Sequence, residues 1–351
     1  MKAMDAMIEP RTVEIVGIGG GTGLPVLLAG LHRLAANRMP PEPDLTISAI
    51  VATSDDGGSS GRLRSALKLP AVGDLRNCVT AMADHESLRQ LFQHRFLSDD
   101  GLHGHSLGNL MLAAMCQRSG SLAQAVDEAR GLLGGGRGAI LPVTEEQVSV
   151  CAELADGRVA RGELAISAAN QRISRVWLEP LRQQPAPGVL EAIASAKIVV
   201  LGPGSLYTSV IPNLIVSGVA DAIRETMALR VFVCNLMTQP GETDGFTAVD
   251  HLRAIENHLG ERVLDVCILN EQRPRPDTGG RYRATGSEPV AWERAEIAAR
   301  GLVPLVADLQ ASHTEVVRHD PMKLARVIVS LATRSTPATG LGHLDTLPTV
   351  N

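Results

Sequence analysis

Val13-Glu14-Ile15-Val16-Gly17-Ile18-Gly19-Gly20-Gly21-Thr22-Gly23-Leu24 is the stretch on which the fold turns. An apolar run stops in glycines, and a helical pattern starts at once and holds to about Leu34. The three prolines within Arg38–Asp44 make a loop, and Leu45–Thr53 is again an apolar strand. That strand also ends in a polar, glycine-rich run, Ser54-Asp55-Asp56-Gly57-Gly58-Ser59-Ser60-Gly61. Strand, glycine loop, helix, strand is the order of a parallel βαβ unit. The expected class is therefore α/β, a Rossmann-like, mainly parallel sheet with helices on both faces.

Working outward, Gly73–Gly120 reads as helical. Asp74-Leu75-Arg76-Asn77 opens one helix, Glu86–Phe96 carries a second, and Ser106 caps a third over Ser106–Arg118. Gly131–Gly138 is a glycine-rich link. Gln147–Ile166 alternates apolar and polar residues around Ala155-Asp156-Gly157-Arg158, a hairpin with an Asp-Gly turn. Arg172–Leu178 adds a third strand, so residues 144–180 form a small β-rich insertion. Strands are expected again at Ala196–Leu201, Val231–Asn235, Val263–Asn270 and Val303–Ala307. Helices are expected at Asn213–Glu225, Thr247–Leu259 and Pro321–Ala332, and a polar loop at Gln272–Pro289. One domain spans residues 13–334, with flexible tails at residues 1–12 and 335–351.

Composition narrows the function. Of the 351 residues 44% are hydrophobic but only 2% aromatic, so the core is built of Val, Leu, Ile and Ala, as suits strands covered on both faces. The net charge of −5, the lack of a basic block and the scarcity of stacking side chains argue against a nucleic-acid partner. Five cysteines without a C-x-x-C pair read as buried thiols in a reducing compartment. The first residues do not form a signal peptide, and no run reaches the ~18–20 apolar residues needed to span a bilayer. The expected compartment is the cytoplasm. Two-fold symmetry being the commonest assembly, a homo-oligomer is expected.

Several strand ends carry Gly, Ser, Thr, Asp or Asn together, and open α/β sheets bind ligands beyond the carboxyl ends of their strands. The run Gly19, Gly20, Gly21, Thr22, Gly23 before a helix is a cradle for phosphate or carboxylate, or a plain tight turn. Thr22 stands where a dinucleotide fingerprint has its third glycine, and no P-loop lysine follows, which disfavours NAD and ATP. Asp55 and Asp56, with Ser59, Ser60 and Arg62 beyond them, would repel a neighbouring phosphate unless a cation such as Mg²⁺ bridged the two. They could instead accept ribose hydroxyls, pair with Arg62 or Arg64, or form a solvated turn. Asp74 is a further metal or hydroxyl ligand, or an N-cap. Arg76 is a candidate phosphate clamp, and Asn77 stands beside it. Asp55 and Asp74 are the candidate metal ligands. His105 and Asn109 are four residues apart, so they share a face, and His105 suits hydrogen bonding or proton transfer. Gly202, Pro203, Gly204 and Ser205 make a second backbone cradle. Asn235 and Thr238 follow the next strand.

Taken together, Gly19–Leu24, Asp55–Arg64, Gly73–Asn77, Gly104–Asn109, Gly202–Ser209 and Met237–Thr243 resemble the bacterial gluconeogenesis factor family (YvcK type). This family is itself similar to 2-phospho-L-lactate transferase, an enzyme of deazaflavin coenzyme synthesis. The resemblance runs over nearly the whole chain, from about Val13 to Ala332. It implies a Rossmann-like fold, a bound UDP-sugar, typically UDP-N-acetylglucosamine, and a role in carbon-source-dependent cell-wall synthesis and cell shape, exerted through a regulatory protein partner. It also implies that Tyr282 stacks on base or sugar and that Arg318 meets the diphosphate; from physics alone neither residue stands out. The competing reading is a Mg²⁺-dependent phosphotransferase with Asp55, Asp56 or Asp74 on the metal. The Gly57–Gly61 run and the segment around Asp74 follow the gluconeogenesis-factor form rather than the transferase form.

Overall fold

The computed structural model describes residues 12–39, 42–271, 286–312 and 316–334. The strands are β1 (Thr12–Gly19), β2 (Asp44–Val51), β3 (Ile140–Pro142), β4 (Ser149–Leu154), β5 (Val159–Arg161), β6 (Ile173–Glu179), β7 (Ile198–Leu201), β8 (Leu229–Val233), β9 (Val266–Asn270) and β10 (Val303–Ala307). Seven of them form one sheet in the order β10-β9-β8-β7-β1-β2-β3, and every pairing in it is parallel. Strands β5-β4-β6 make a separate antiparallel sheet.

Successive residues of β1 point to opposite faces, and both faces are covered. Ile15 belongs to one buried cluster and its neighbour Val16 to the other. All four residues of β7 are buried. Each such side chain contributes about 1.5–3 kcal/mol by leaving water. Helix α1 (Gly23–Ala36) covers one face and packs on the helix Pro321–Arg334. Gly30 allows this, because a β-carbon there would meet the Pro321 carbonyl.

The chain runs outward through β1, β2 and β3, then returns to lay β7 on the other side of β1. Strand order therefore reverses between β1 and β7, with Ile15 beside Ile198 and Ile18 beside Leu201. The loops leaving these two strands open a crevice, which is the ligand position of open α/β sheets.

Differences from the sequence reading are local. The three residues of β3 are too short to show a period of their own, so the glycine-rich link is in fact the approach to an edge strand. The hairpin's second strand ends at Arg161 rather than Ile166, because Gly162, at φ +90°, turns the chain into helix-like residues Glu163–Ala169. The helix expected over Asn213–Glu225 is broken by Gly218 at φ +79°. All five cysteines are buried, with free thiols. No single helix among the described residues is long and apolar enough to cross a membrane.

Candidate functional site

The crevice is built from backbone. The space a β-carbon of Gly23 would need holds the Pro203 carbonyl, with Gly204 N 2.8 Å away, so the two loops can meet only with glycine here. Gly21, at φ +61°, donates its N–H to Asp74 Oδ2 at 2.6 Å. Buried Asn213 donates to the Gly19 carbonyl at 3.0 Å and the Ser209 carbonyl at 2.7 Å, and Asn77 donates to the Gly21 carbonyl at 3.4 Å. On the facing loop, Asn235 brackets the Gly204 residue, accepting from its N–H at 3.2 Å and donating to its carbonyl at 2.8 Å. Ser205 accepts from Thr208 N at 3.3 Å, capping the turn Leu206–Val210, and donates its own proton to Glu242 at 2.5 Å. The result is a cleft of about 220 Å³ lined by Thr22, Gly23, Pro203, Ser205 and Arg318 among others. Exposed Arg318 stands on it beside His319, whose burial pushes its pKa down to about 4 and so keeps the ring neutral. A second cleft of about 790 Å³ lies beyond β8 and β9, lined by Asn270, Glu288 and Trp292, and it shares Asn235 and Leu236 with the first.

Beside the crevice lies a shelf of carboxyl groups. Its groups come from the loop before α2 (Gly58–Leu67), from α3 (Gly73–Ala81) and from the insertion. Asp55 accepts from Gly57 N at 2.8 Å, and burial raises its pKa, with the charge of Asp56 adding to the effect. Asp74 is raised to about 7, first by burial and then by the charge of Asp55; the Gly21 N–H and Arg76 oppose the shift. Val72, not Asp74, occupies the cap of α3, and the Asp74 side chain is turned to the glycine loop instead. Glu163 reaches the shelf from the insertion and is raised to about 8 by burial and by the charges of Asp55, Asp74 and Glu242. Among the described residues no group of three or more His, Cys, Asp or Glu is placed to hold a metal ion. Asp55 and Asp74 alone offer the one or two carboxylates that Mg²⁺ uses when substrate phosphates complete its shell.

The other expected residues divide. Ser59, His105 and Asn109 meet in the interior: Asn109 donates to Ser59 Oγ at 3.1 Å, and Ser59 Oγ lies 2.9 Å from His105 Nδ1. Burial lowers the His105 pKa, and Arg62 lowers it further. Ser60 accepts from Gly73 N at 3.2 Å, tying α2 to α3. Arg62 bonds the His103 carbonyl, and Arg76 is buried against Gly108. Asp56 turns to the insertion and accepts from Leu164 N at 3.2 Å. Thr238 accepts from Glu288 N at 2.9 Å, and its neighbours Met237 and Gln239 line the smaller cleft. Tyr282 lies outside the described residues.

A family model described as 2-phospho-L-lactate transferase CofD matches residues 15–310. The chain belongs to the CofD family. Gluconeogenesis factors of Bacillus subtilis and Halalkalibacterium halodurans are each 41% identical to it; the first match covers 91% of this chain and 98% of the relative, the second 90% and 95%. A crystal structure of a Bacillus halodurans protein superimposes with a TM-score of 0.85 at 40% identity, covering 92% of this chain and 100% of that one.

This CofD-family site also uses residues that the loop motifs did not reveal. Asn213 lies after the irregular turn that follows Ser205, and Glu163 belongs to the insertion. Glu242, buried with a raised pKa, ties Ser205, Ser167 and Gln239 together. Only Glu242 had a local signal, as an acid inside a polar run after a strand.

Proposed function

We propose that the chain is a gluconeogenesis factor that binds a UDP-sugar, UDP-N-acetylglucosamine in the first instance, and acts in the cytoplasm on cell-wall synthesis through a protein that reads its ligand state. The observation that carries this reading is the cleft at the reversal of strand order together with the larger cleft beyond β8 and β9, the two sharing Asn235 and Leu236. The smaller is made of glycine backbone with Arg318 on it, which suits a diphosphate. The larger, with Trp292, Asn270 and Glu288, offers apolar surface and hydrogen-bonding groups for a nucleoside or sugar. A compact phosphate ester would need only the first. Similarity to the gluconeogenesis factors supports the same reading.

The carboxyl shelf and the family description favour a second reading, a Mg²⁺-dependent transferase of phosphorus-containing groups. Asp55 and Asp74 would hold the ion, which neutralises charge on a transferred group. Calorimetric titration with UDP-N-acetylglucosamine, with and without Mg²⁺ and with GDP as competitor, separates the two. Saturable binding indifferent to GDP is expected; Mg²⁺-dependent GDP binding without UDP-sugar binding would replace the first reading with the second.

A further inference from the structure

Residues 84–103 form an arm that stands almost wholly in water: Phe92 alone is buried among them. Helix α4 (Glu86–Gln93) makes its first half. A loop makes the second half and closes on itself, with Phe96 N donating to the His105 carbonyl at 3.0 Å and Gly104 N to the Phe96 carbonyl at 2.9 Å. Four leucines ride on this arm: Leu88 is 37% exposed, Leu91 51%, Leu97 90% and Leu102 48%. A single exposed leucine is ordinary, but four on one arm mark a surface that another molecule covers.

The charges say what covers it. Asp84 stands just before α4 and Arg95 just past its end, with Leu88 and Leu91 between them. Measured from a point between Arg89 and Gln90, Leu88 and Leu91 lie equally far on either side, and so do Asp84 and Arg95. A segment ordered in this way is its own complement when a second copy runs antiparallel to it. A two-fold axis at that point sets Leu88 on Leu91 and Asp84 on Arg95, twice over. The charges are available for this. Arg95 donates to the Gly104 carbonyl at 2.9 Å, but among the described residues no carboxylate pairs with it. Asp84 is half-exposed and takes the His32 ring on Oδ1 at 2.8 Å, which leaves Oδ2 for a further donor.

We propose that α4 and the loop after it are the seat of a second copy of this chain, in two-fold antiparallel contact. A partner of one charge sign would leave half of the arm unmatched, whereas a second copy matches both ends. The arm is also of the right size, because a stable interface takes about 20–30 residues a side. None of the four leucines lines the clefts described above, so the contact is independent of the ligand that they hold.

The test is sedimentation equilibrium of the full chain, on wild type and on Leu91→Asp, Leu97→Asp, Arg95→Glu and the double variant Arg95→Glu with Asp84→Arg. Wild type is expected at twice the mass of one chain at micromolar concentration. Leu91→Asp and Leu97→Asp are each expected to weaken association at least tenfold with the far-ultraviolet circular dichroism unchanged, since both side chains already lie in water. Arg95→Glu should also weaken it, and the double variant should recover most of that loss. A wild type that stays a single chain overturns the proposal. So does a two-chain species that both leucine variants leave within twofold, because the contact would then lie elsewhere. A double variant no tighter than Arg95→Glu alone overturns the antiparallel register.

Discussion

The crevice and the carboxyl shelf lie side by side on the same strand ends and are made of different material. The crevice is backbone: Gly21, Gly23 and Gly204, fixed by hydrogen bonds to Asp74, Asn213 and Asn235. The shelf is side chains whose charges are not balanced: Asp55, Asp74 and Glu163 are all held above their ordinary pKa values. A preorganised backbone site binds without rearrangement. A shelf of strained carboxyl groups responds to protons and cations. Shape should therefore fail in the one and charge in the other, and substitutions can separate them.

The largest effect is expected at Gly23→Ala. Its β-carbon would be driven into the Pro203 carbonyl, parting the two loops. Loss of detectable nucleotide-sugar binding is expected, with a fall in stability of about 3 kcal/mol, measured by calorimetry and by denaturant titration. Arg318→Ala comes next. It removes a cation without touching the loops, so affinity should drop by about 30-fold, equivalent to about 2 kcal/mol for a charge-assisted bond, while the melting temperature holds. An Arg318→Ala protein that binds as tightly as wild type would take the diphosphate out of this cleft.

Smaller effects probe the shelf. Because the folded Asp74 pKa is raised from 3.8 to about 7, the folded state holds the extra proton across that interval. This group's contribution to stability therefore declines as pH rises through the interval and is flat above it. Asp74→Asn should flatten that part of the dependence of melting temperature on pH. It should also abolish any Mg²⁺-dependent gain in ligand affinity. In wild type, Mg²⁺ displaces the proton, so its apparent affinity should rise by up to about tenfold per pH unit below 7 and level off above. A Mg²⁺ affinity that does not vary between pH 5 and pH 8 would remove Asp74 from cation binding. Asn235→Ala should be milder, loosening the Gly204 peptide at a cost of about 1–2 kcal/mol and weakening the nucleotide sugar a few-fold, as followed by thermal melts and titration.

The contrast also explains what could be read in the sequence. The crevice was legible because glycine next to a strand end carries a backbone requirement that a local motif displays, as in Gly19–Gly23 and Gly202–Ser205. The class of fold was legible for a similar reason: strands buried on both faces read as unbroken apolar runs. The shelf was legible only in part. Asp55 and Asp74 announce themselves beside glycines, but Glu163 comes from the insertion, 89 positions after Asp74 in the numbering, and no local pattern links the two. Asp56 looked equivalent to Asp55, yet it caps the turn at Leu164, because Gly162 leaves room there for its carboxylate. Asn213, which pins the glycine loop from beneath, sat in what read as an ordinary helix. The adjacent glycine break at Gly218 was visible as a residue but not as a consequence.

The central claim is that the glycine crevice receives a diphosphate, and the most direct measurement is a crystal structure of the protein soaked with UDP-N-acetylglucosamine. Density for the diphosphate against Gly21–Gly23 and Gly204, with Arg318 on it and the remainder of the ligand toward Asn270 and Trp292, is the expected result. A ligand bound elsewhere with the crevice filled by solvent, at a concentration that saturates the protein in solution, would contradict the account.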